Sequence, residues 1–470
     1  MLLVHPVHEV LRQLPFLIGT VAVGSATGNP LWAVAALALT LAMGAARWFT
    51  TTYRIAPDEV QLRAGLLQRK ALSLPRNRIR SVSTDARLLH RLLGLTILRV
   101  STGQEAHGDD AFALDAVEAG QVPRLRAVLL ADSLMPAPDA PPQGRMLARW
   151  EPSWLRYSPL SFTGLAMIAA AAGVLYQAGG TLLLSGSHLA EDGREVAGRY
   201  GLLATAAGLV GVVLVASVVL SVLRSLVTYG NLALRRDAEL LHLQHGLLRR
   251  REHTFDMRRL RGGTLREPLL VRIFGGARLD AVMTGVGGAG EASLLLPPCP
   301  AGTAGAVLAE LIGRPDDVSG PLRRHGPAAA RRRWTRALTG PAVMALALVV
   351  ASFFIAVPVW VWPLLAGSVA VSAGLAADRV AALGHRVGDG WLVARAGSVE
   401  RRRDCIAGDG IVGWTVRQSY FQRRAGVATL IAATAAGEKA YRVIDVPAPM
   451  AWSIAAEASP WLRDAAWACR

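Results

Sequence analysis

The stretch Ala337–Ala377, ALTGPAVMALALVVASFFIAVPVWVWPLLAGSVAVSAGLAA, contains no Asp, Glu, Lys or Arg. A bilayer core of about 30 Å is crossed by roughly 20 helical residues, so this run is too long for one span. It must fold back on itself, and Pro358, Trp360, Trp362 and Pro363 mark the break. Proline removes a backbone donor and disfavours helix in the residue before it, while tryptophan prefers the membrane–water interface. The stretch reads as a helical hairpin.

Working outward, the same signature recurs. Leu14–Ala46 is free of charge and broken at Gly28-Asn29-Pro30, and Ser158–Ser187 and Gly201–Leu223 are charge-free runs separated by the loop His188–Tyr200. A charge at the centre of a spanning helix costs about 2.5–3.5 kcal/mol, which is why such runs mark lipid burial. The chain has 470 residues, 52% of them hydrophobic and 18% charged, a balance rare in a water-soluble protein of this size. Six spans in three hairpins are expected.

The formal net charge of +17 comes almost wholly from arginine, since Lys70 and Lys439 are the only lysines. Basicity of this degree suits nucleic acid, but here it flanks the apolar runs, as at Arg12, Arg47, Arg145, Arg149, Arg224, Arg331, Arg332, Arg333, Arg336 and Arg379. The positive-inside rule accounts for that placement without nucleic acid. The Gly28–Pro30 turn, the loop with Glu191, Asp192, Arg194, Glu195 and Arg199, and the Pro358–Pro363 turn hold far fewer basic residues. Both termini and all large loops are therefore expected in the cytoplasm. Arg12 followed by an apolar stretch resembles a secretory signal, but the second span that follows at once favours a retained hairpin. Cys299, Cys405 and Cys469 have no paired spacing for zinc or redox chemistry.

After each hairpin comes a segment rich in Val, Leu, Ile and Arg, and the three segments align. Gly65-Leu66-Leu67-Gln68-Arg69 matches Gly246-Leu247-Leu248-Arg249-Arg250, and Leu88–Gly94 matches Leu269–Gly275, without a gap: 246 − 65 = 181 and 275 − 94 = 181. A third copy carries Gly397, Arg401, Arg423 and Gly426, with 397 − 246 = 151 and 426 − 275 = 151. Hairpin, module and spacer thus recur three times. Within module 1, strands are expected at Tyr53–Ile55, Val60–Ala64, Lys70–Leu74, Ile79–Thr84, Thr96–Ser101 and Asp110–Leu114, from their alternation and turn residues. Helical stretches close the copies at Val122–Ala131, Gly302–Ile312 and Pro449–Ala468. A small antiparallel barrel or sandwich with a C-terminal helix fits this order.

The boundaries read from the sequence are hairpin 1 at 8–50, module 1 at 51–133, a linker or interfacial segment at 134–157, hairpin 2 at 158–226 and module 2 at 227–313. A second linker at 314–335, hairpin 3 at 336–378 and module 3 at 379–470 complete the chain. Pro136–Gly144 and Gly313–Ala330 are Pro-, Ala- and Gly-rich, which suits flexible joints. Trp150, Trp154, Arg156 and Tyr157, then Arg333, Trp334 and Arg336, read as interfacial anchors.

These residues carry a resemblance. The hairpin feeding Thr51-Thr52-Tyr53-Arg54-Ile55, the Gly-Leu-Leu turn at Gly65, the basic run Pro75-Arg76-Asn77-Arg78-Ile79 and the segment Leu88–Gly94 resemble the bacterial pleckstrin-homology-like membrane proteins of the second type. The likeness covers most of the chain and implies two-span units, each carrying a pleckstrin-homology-like (PH-like) domain. The third copy departs most, with Asp404-Cys405-Ile406-Ala407-Gly408 in place of the Pro-Arg-Asn-Arg stretch.

Catalytic signatures are sparse. Gly285-Val286-Gly287-Gly288-Ala289-Gly290 satisfies G-x-G-x-x-G, but a strand rather than a helix is expected after it, so it reads as a turn. His5 with His8, and His107 with Asp109 and Asp110, lack enough partners for a metal. No catalytic, cofactor-binding or metal residue is assigned, and no enzymatic activity is expected. The features most like a binding surface are Arg76, Arg78, Arg80, Arg249, Arg250, Arg251, Arg258, Arg259 and Arg261. A basic side chain near an anionic leaflet gains about 1 kcal/mol, which makes phospholipid head groups the natural ligand. An equal alternative is that these arginines only hydrate and orient the modules. The expected repeat-defining turns are Gly65, Gly94, Gly246, Gly275, Gly397 and Gly426.

The expectation is a multi-pass protein of the bacterial inner membrane that displays three cytoplasmic modules. Its expected partners are phospholipids and other membrane proteins or further copies of itself, not nucleic acid, in scaffolding for envelope maintenance or stress tolerance. A transporter or lipid-handling protein with a path between hairpins is the competing class.

Overall fold

The computed structural model describes residues 52–55, 59–64, 70–75, 81–86, 91–101, 112–125, 144–161, 202–284 and 293–462, with single helical positions at 164, 166, 169, 170 and 173. Hairpin 1, Arg76, Arg78, Arg80, Gly65 and the G-x-G-x-x-G stretch lie outside them.

Three described helices are long and apolar enough to cross a membrane: α1 (Leu202–Tyr229), α5 (Gly326–Ser352) and α6 (Val361–Ala382). The turn between α5 and α6 falls at Phe353–Trp360, where the Pro358 and Trp360 signals place it, and the two helices pack on each other. Their outward apolar residues stay open. Val212 is 66% exposed, Leu346 66% and Val371 64%, a surface suited to hydrocarbon rather than water.

The chain divides into two compact units, Met1–Trp150 with Val227–Arg259, and Glu151–Leu226 with Leu260–Arg470. The cut passes through the middle of module 2. In the first unit, β1 (Thr52–Ile55), β2 (Glu59–Ala64) and β3 (Lys70–Pro75) form one antiparallel sheet. A second sheet combines β4 (Ser81–Ala86), β5 (Leu95–Ser101) and β6 (Phe112–Glu118) of module 1 with β7 (Arg145–Arg149), β8 (Ala233–Asp237), β9 (Leu240–His245) and β10 (Arg250–Asp256). Its order is β6-β5-β4-β10-β9-β8-β7. Val82, Leu98, Val100, Leu234, Leu241 and Phe255 are buried in this unit.

The second unit repeats the arrangement one module later. β11 (Leu260–Pro268), β12 (Gly276–Met283) and β13 (Leu294–Pro300) of module 2 join β14 (Gly384–Gly388), β15 (Trp391–Ala396) and β16 (Glu400–Ala407) of module 3. The order is β13-β12-β11-β16-β15-β14. The short α2 (Leu269–Ile273) follows β11, α3 (Ala301–Ile312) follows β13, and α4 (Pro315–Ser319) comes next. A three-stranded sheet, β17 (Ile411–Arg417), β18 (Val427–Thr434) and β19 (Ala440–Pro447), completes module 3, with α7 (Tyr420–Arg424) inside it and α8 (Ala451–Ala458) after it. Val282, Leu392 and Ile406 of the six-stranded sheet share one core with Leu430, Val443 and Ile454.

One expectation is extended and one needs correction. Each module is expected to form a small barrel or sandwich with a C-terminal helix, and the two half-sheets of module 3 do share one core with α8. The second half-sheet of one module also pairs edge to edge with the first half-sheet of the next, at β4·β10 and β11·β16. Alternating apolar strands specify which face is buried but not which edge they join, so either partner satisfies the pattern. The joints are also less free than their composition suggests. β7 lies in the stretch read as the first linker and pairs with β8, and Val318, His325 and Ala329 of the second linker are buried. Trp154 and Tyr157 are likewise buried rather than interfacial, with Tyr157 Oη 3.3 Å from the carbonyl oxygen of Phe274.

Candidate functional site

The repeat is exact in backbone at its turns. Gly246 and Gly397 have φ of +103° and +104°, and a β-carbon at either would run into the carbonyl oxygen of Arg249 or Glu400 respectively. Only glycine fits there. Gly94, Gly275 and Gly426 have φ of +67°, +74° and +67°, and each backbone N–H donates to the residue three before it, Arg91, Arg272 or Arg423.

The junction strands keep one register. Ser81 faces Phe255 and Ala86 faces Arg250 in the first unit; Gly262 faces Ile406 and Glu267 faces Arg401 in the second. These are the same pairs one repeat on, because 262 − 81 = 181 and 406 − 255 = 151.

At each junction one buried charge is held by the neighbouring module. In the first unit, Asp85 is buried and accepts two hydrogen bonds from Arg249, the one from Nε at 2.5 Å. Burial pushes the Asp85 carboxyl up, but the Arg249 hydrogen bonds and charge outweigh it and hold the group below its ordinary value. In the second unit the equivalent residue is Arg266, since 85 + 181 = 266, and the equivalent of Arg249 is Glu400, since 249 + 151 = 400. Arg266 is buried and reaches Glu400 at 3.1 Å, Asp280 at 2.7 Å and also Glu438. Burial disfavours its charge, yet Asp280, Glu400 and Glu438 together raise its pKa. The two junctions therefore carry the same ion pair with its polarity exchanged.

The second junction adds further links. Arg402 contacts Asp404 at 3.3 Å and Glu438 at 2.8 Å, and Thr264 Oγ1 donates to Asp404 at 2.8 Å. Arg272 and Arg401, from modules 2 and 3, both grip Asp378 near the end of α6, at 2.8 and 2.6 Å. Arg332 and Arg333 at the start of α5 meet the buried Asp445 at 3.1 and 2.8 Å. Beside them, His325 Nδ1 donates to the carbonyl of Ile444 at 2.8 Å, which leaves Nε2 to accept from His385 Nδ1 at 2.9 Å. Burial, with His325 and Arg323 beside it, lowers His385 to about 4.

The arginines singled out from the sequence are engaged locally. Arg249 is spent on Asp85; Arg250 meets Glu252 at 3.0 Å, Arg258 meets Glu239 at 3.8 Å, Arg259 meets Asp256 at 3.5 Å and Arg261 meets Asp409 at 3.0 Å. Arg251 stands opposite Asp85 in the β10·β4 ladder. Arg250 and Arg258 remain about half exposed and are the members best placed to reach a ligand. Arg266, Asp85 and Glu400 do not stand out in the sequence. Their signal is the sign change at equivalent repeat positions, legible only once the strand pairing is known. Burial pushes the Cys299 and Cys405 thiols up to about 12, so both are inert side chains of the core. Among the described residues, no group of three or more His, Cys, Asp and Glu is placed to hold a metal ion.

No curated protein and no solved structure matches the chain. The family model described as bacterial PH domain matches it three times, at residues 11–133, 182–311 and 338–457. Each match takes in both half-sheets of one module, so the sequence unit and the paired sheet are offset by half a module. With three matches over most of its length and the same turns repeated in each, the chain belongs to the bacterial PH domain family.

Proposed function

We propose that this protein is a non-enzymatic membrane scaffold whose six spans, in three hairpins, hold three PH-like modules against the cytoplasmic face of the bacterial inner membrane. The modules bind other membrane proteins or phospholipid head groups, in assembly or in tolerance of envelope stress. The observation that carries this reading is the pairing of half-modules at β4·β10 and β11·β16, which converts neighbouring domains into continuous sheets. Such sheets present several weak binding faces in fixed order, and covalent attachment to one membrane makes weak contacts act jointly. The buried ion pairs support the same reading, since they join modules to each other and to α5 and α6 rather than lining a reaction centre.

Affinity purification of the full chain from its native membranes in mild detergent tests the proposal. Stoichiometric recovery of another membrane protein, of further copies, or of anionic phospholipid is the expected result. A chain recovered alone, with neither self-association nor enriched lipid, would overturn it.

A further inference from the structure

We infer that two apolar tips, Leu92, Leu93 and Leu248 at the first junction and Ile273, Phe274 and Val399 at the second, insert into the head-group layer of the bilayer beside the spanning helices. The inference rests on the reading of α1 and α6 as membrane spans and is independent of what the modules bind. All six residues are apolar and between 48% and 81% exposed. They are equivalent by the repeat, since 273 − 92 = 181, 274 − 93 = 181 and 399 − 248 = 151. A single exposed leucine needs no explanation, but an apolar tip rebuilt at both junctions marks a surface that something covers.

Neighbouring modules assemble each tip. In the second unit, the Leu269 N–H donates to the Val399 carbonyl at 2.7 Å, so α2, which leads into Ile273 and Phe274, meets the Gly397-Ser398-Val399 turn. In the first unit, Arg91 Nη1 donates to the Leu247 carbonyl at 2.8 Å, which brings Leu92 and Leu93 to the Gly246-Leu247-Leu248 turn.

The helices that carry the tips identify what covers them. The Leu247 N–H donates to the Val227 carbonyl at 3.0 Å, in the last turn of α1. Val227 comes just after Arg224, the first charge following Gly201–Leu223. At the second tip, Arg272, next to Ile273, and Arg401, close behind Val399, both hold Asp378, the first charge following Ala337–Ala377. Arg395 donates to the carbonyls of Ala381 and Ala382 at the end of α6. Phe274 is also held from the entry to hairpin 2. Tyr157 Oη donates to its carbonyl, and the charge-free run Ser158–Ser187 begins at the next residue. The first charge after a spanning run marks the edge of the hydrocarbon, and the head-group layer occupies about the next 5–8 Å. An apolar side chain held at that depth has lipid beside it, and buries itself at the boundary between head groups and acyl chains. Arg91 and Arg250, adjoining the first tip in sequence, are exposed, and a basic side chain there gains from an anionic leaflet.

The full chain, reconstituted at one copy per nanodisc of phosphatidylcholine and phosphatidylglycerol, tests the inference. Single cysteines are placed in a Cys469→Ser background, since Cys299 and Cys405 are buried. Leu92→Cys and Ile273→Cys carry an environment-sensitive fluorophore, and a nitroxide on the upper acyl chain of the lipid is the quencher. Asp389→Cys is the solvent reference, because Asp389 is 80% exposed and lies before β15, about 20 Å of strand from the Gly397–Val399 turn. Val371→Cys, on the outward face of α6, is the spanning reference. Nitroxide quenching at both tips is expected to be several-fold stronger than at Asp389 and to approach that at Val371, with iodide quenching several-fold weaker than at Asp389. Lipid quenching at either tip no stronger than at Asp389 would overturn the inference, whether the label is then open to iodide or shielded by protein. If Val371 is quenched and the tips are not, the inference falls alone. If Val371 too escapes the nitroxide, the spanning reading falls and takes the inference with it.

Discussion

The β4·β10 junction and the β11·β16 junction have the same backbone register and opposite charge. In the first, an acid from the earlier module is held by an arginine of the later one; in the second, an arginine from the earlier module is held by acids. The difference teaches that the strands supply the shape of the contact and the charges supply its address. If Asp85 were offered to Glu400, or Arg266 to Arg249, a buried charge would meet a partly exposed charge of its own sign and lose its partner. Three near-copies of one module can thus assemble in a single order.

The largest effect is expected at the second junction. Arg266→Ala takes the shared guanidinium from the buried Asp280 and from the partly exposed Glu400 and Glu438, and losing a buried partner of this kind costs about 3 kcal/mol. Hydrogen exchange should show β11 and β16 losing protection while β4 and β10 keep theirs. Equal loss in both sheets would break the comparison.

Acid should separate the two units next. His385 has its pKa lowered from 6.5 to about 4, so the unfolded chain binds the extra proton more readily. Its contribution is complete above pH 6.5 and is lost as pH falls toward 4, on the order of 3 kcal/mol in all. The Asp85 carboxyl also lies below its ordinary value, so its contribution is present above about 3.8 and is lost only below that. Exchange at pH 7 and pH 4.5 should therefore show β14 and β15 loosening while the Asp85–Arg249 link persists. Unchanged protection of β14 would refute the assignment.

A charge exchange at the first junction sharpens the address argument with the smallest change. Arg249→Glu should cost about 2 kcal/mol, because Arg249 is partly exposed and water softens the repulsion with Asp85. Adding Asp85→Arg recreates the polarity of the second junction and should recover most of the loss in a double-mutant cycle of thermal unfolding. Additive losses would mean the two residues do not act as a pair.

Much of this architecture is legible in the amino-acid sequence alone. The offsets of 181 and 151 locate the turns at Gly94, Gly246, Gly275, Gly397 and Gly426, all of which have positive φ. Pro358 and Trp360 locate the turn between α5 and α6. Pairing is not legible, because β4 and β10 are 174 residues apart (255 − 81) and nothing in their alternation names a partner. For the same reason Arg249 reads as part of a surface cluster. Its acid, Asp85, is 164 residues away in sequence. Arg145–Arg149 is hidden differently, since five residues after a Pro- and Ala-rich spacer are too few to declare a strand by periodicity.

The offset between module and sheet has a consequence in time. β11 is synthesised 144 residues before its partner (406 − 262), and translation proceeds at about 5–20 residues per second. For roughly 7–30 s the growing chain must carry β11 as an uncovered strand edge while α5 and α6 are still being made and inserted. A ribosome stall between β13 and β14 would prolong that exposure, as a stall between β6 and β10 would prolong the still longer wait of β4, 174 residues ahead of its partner (255 − 81).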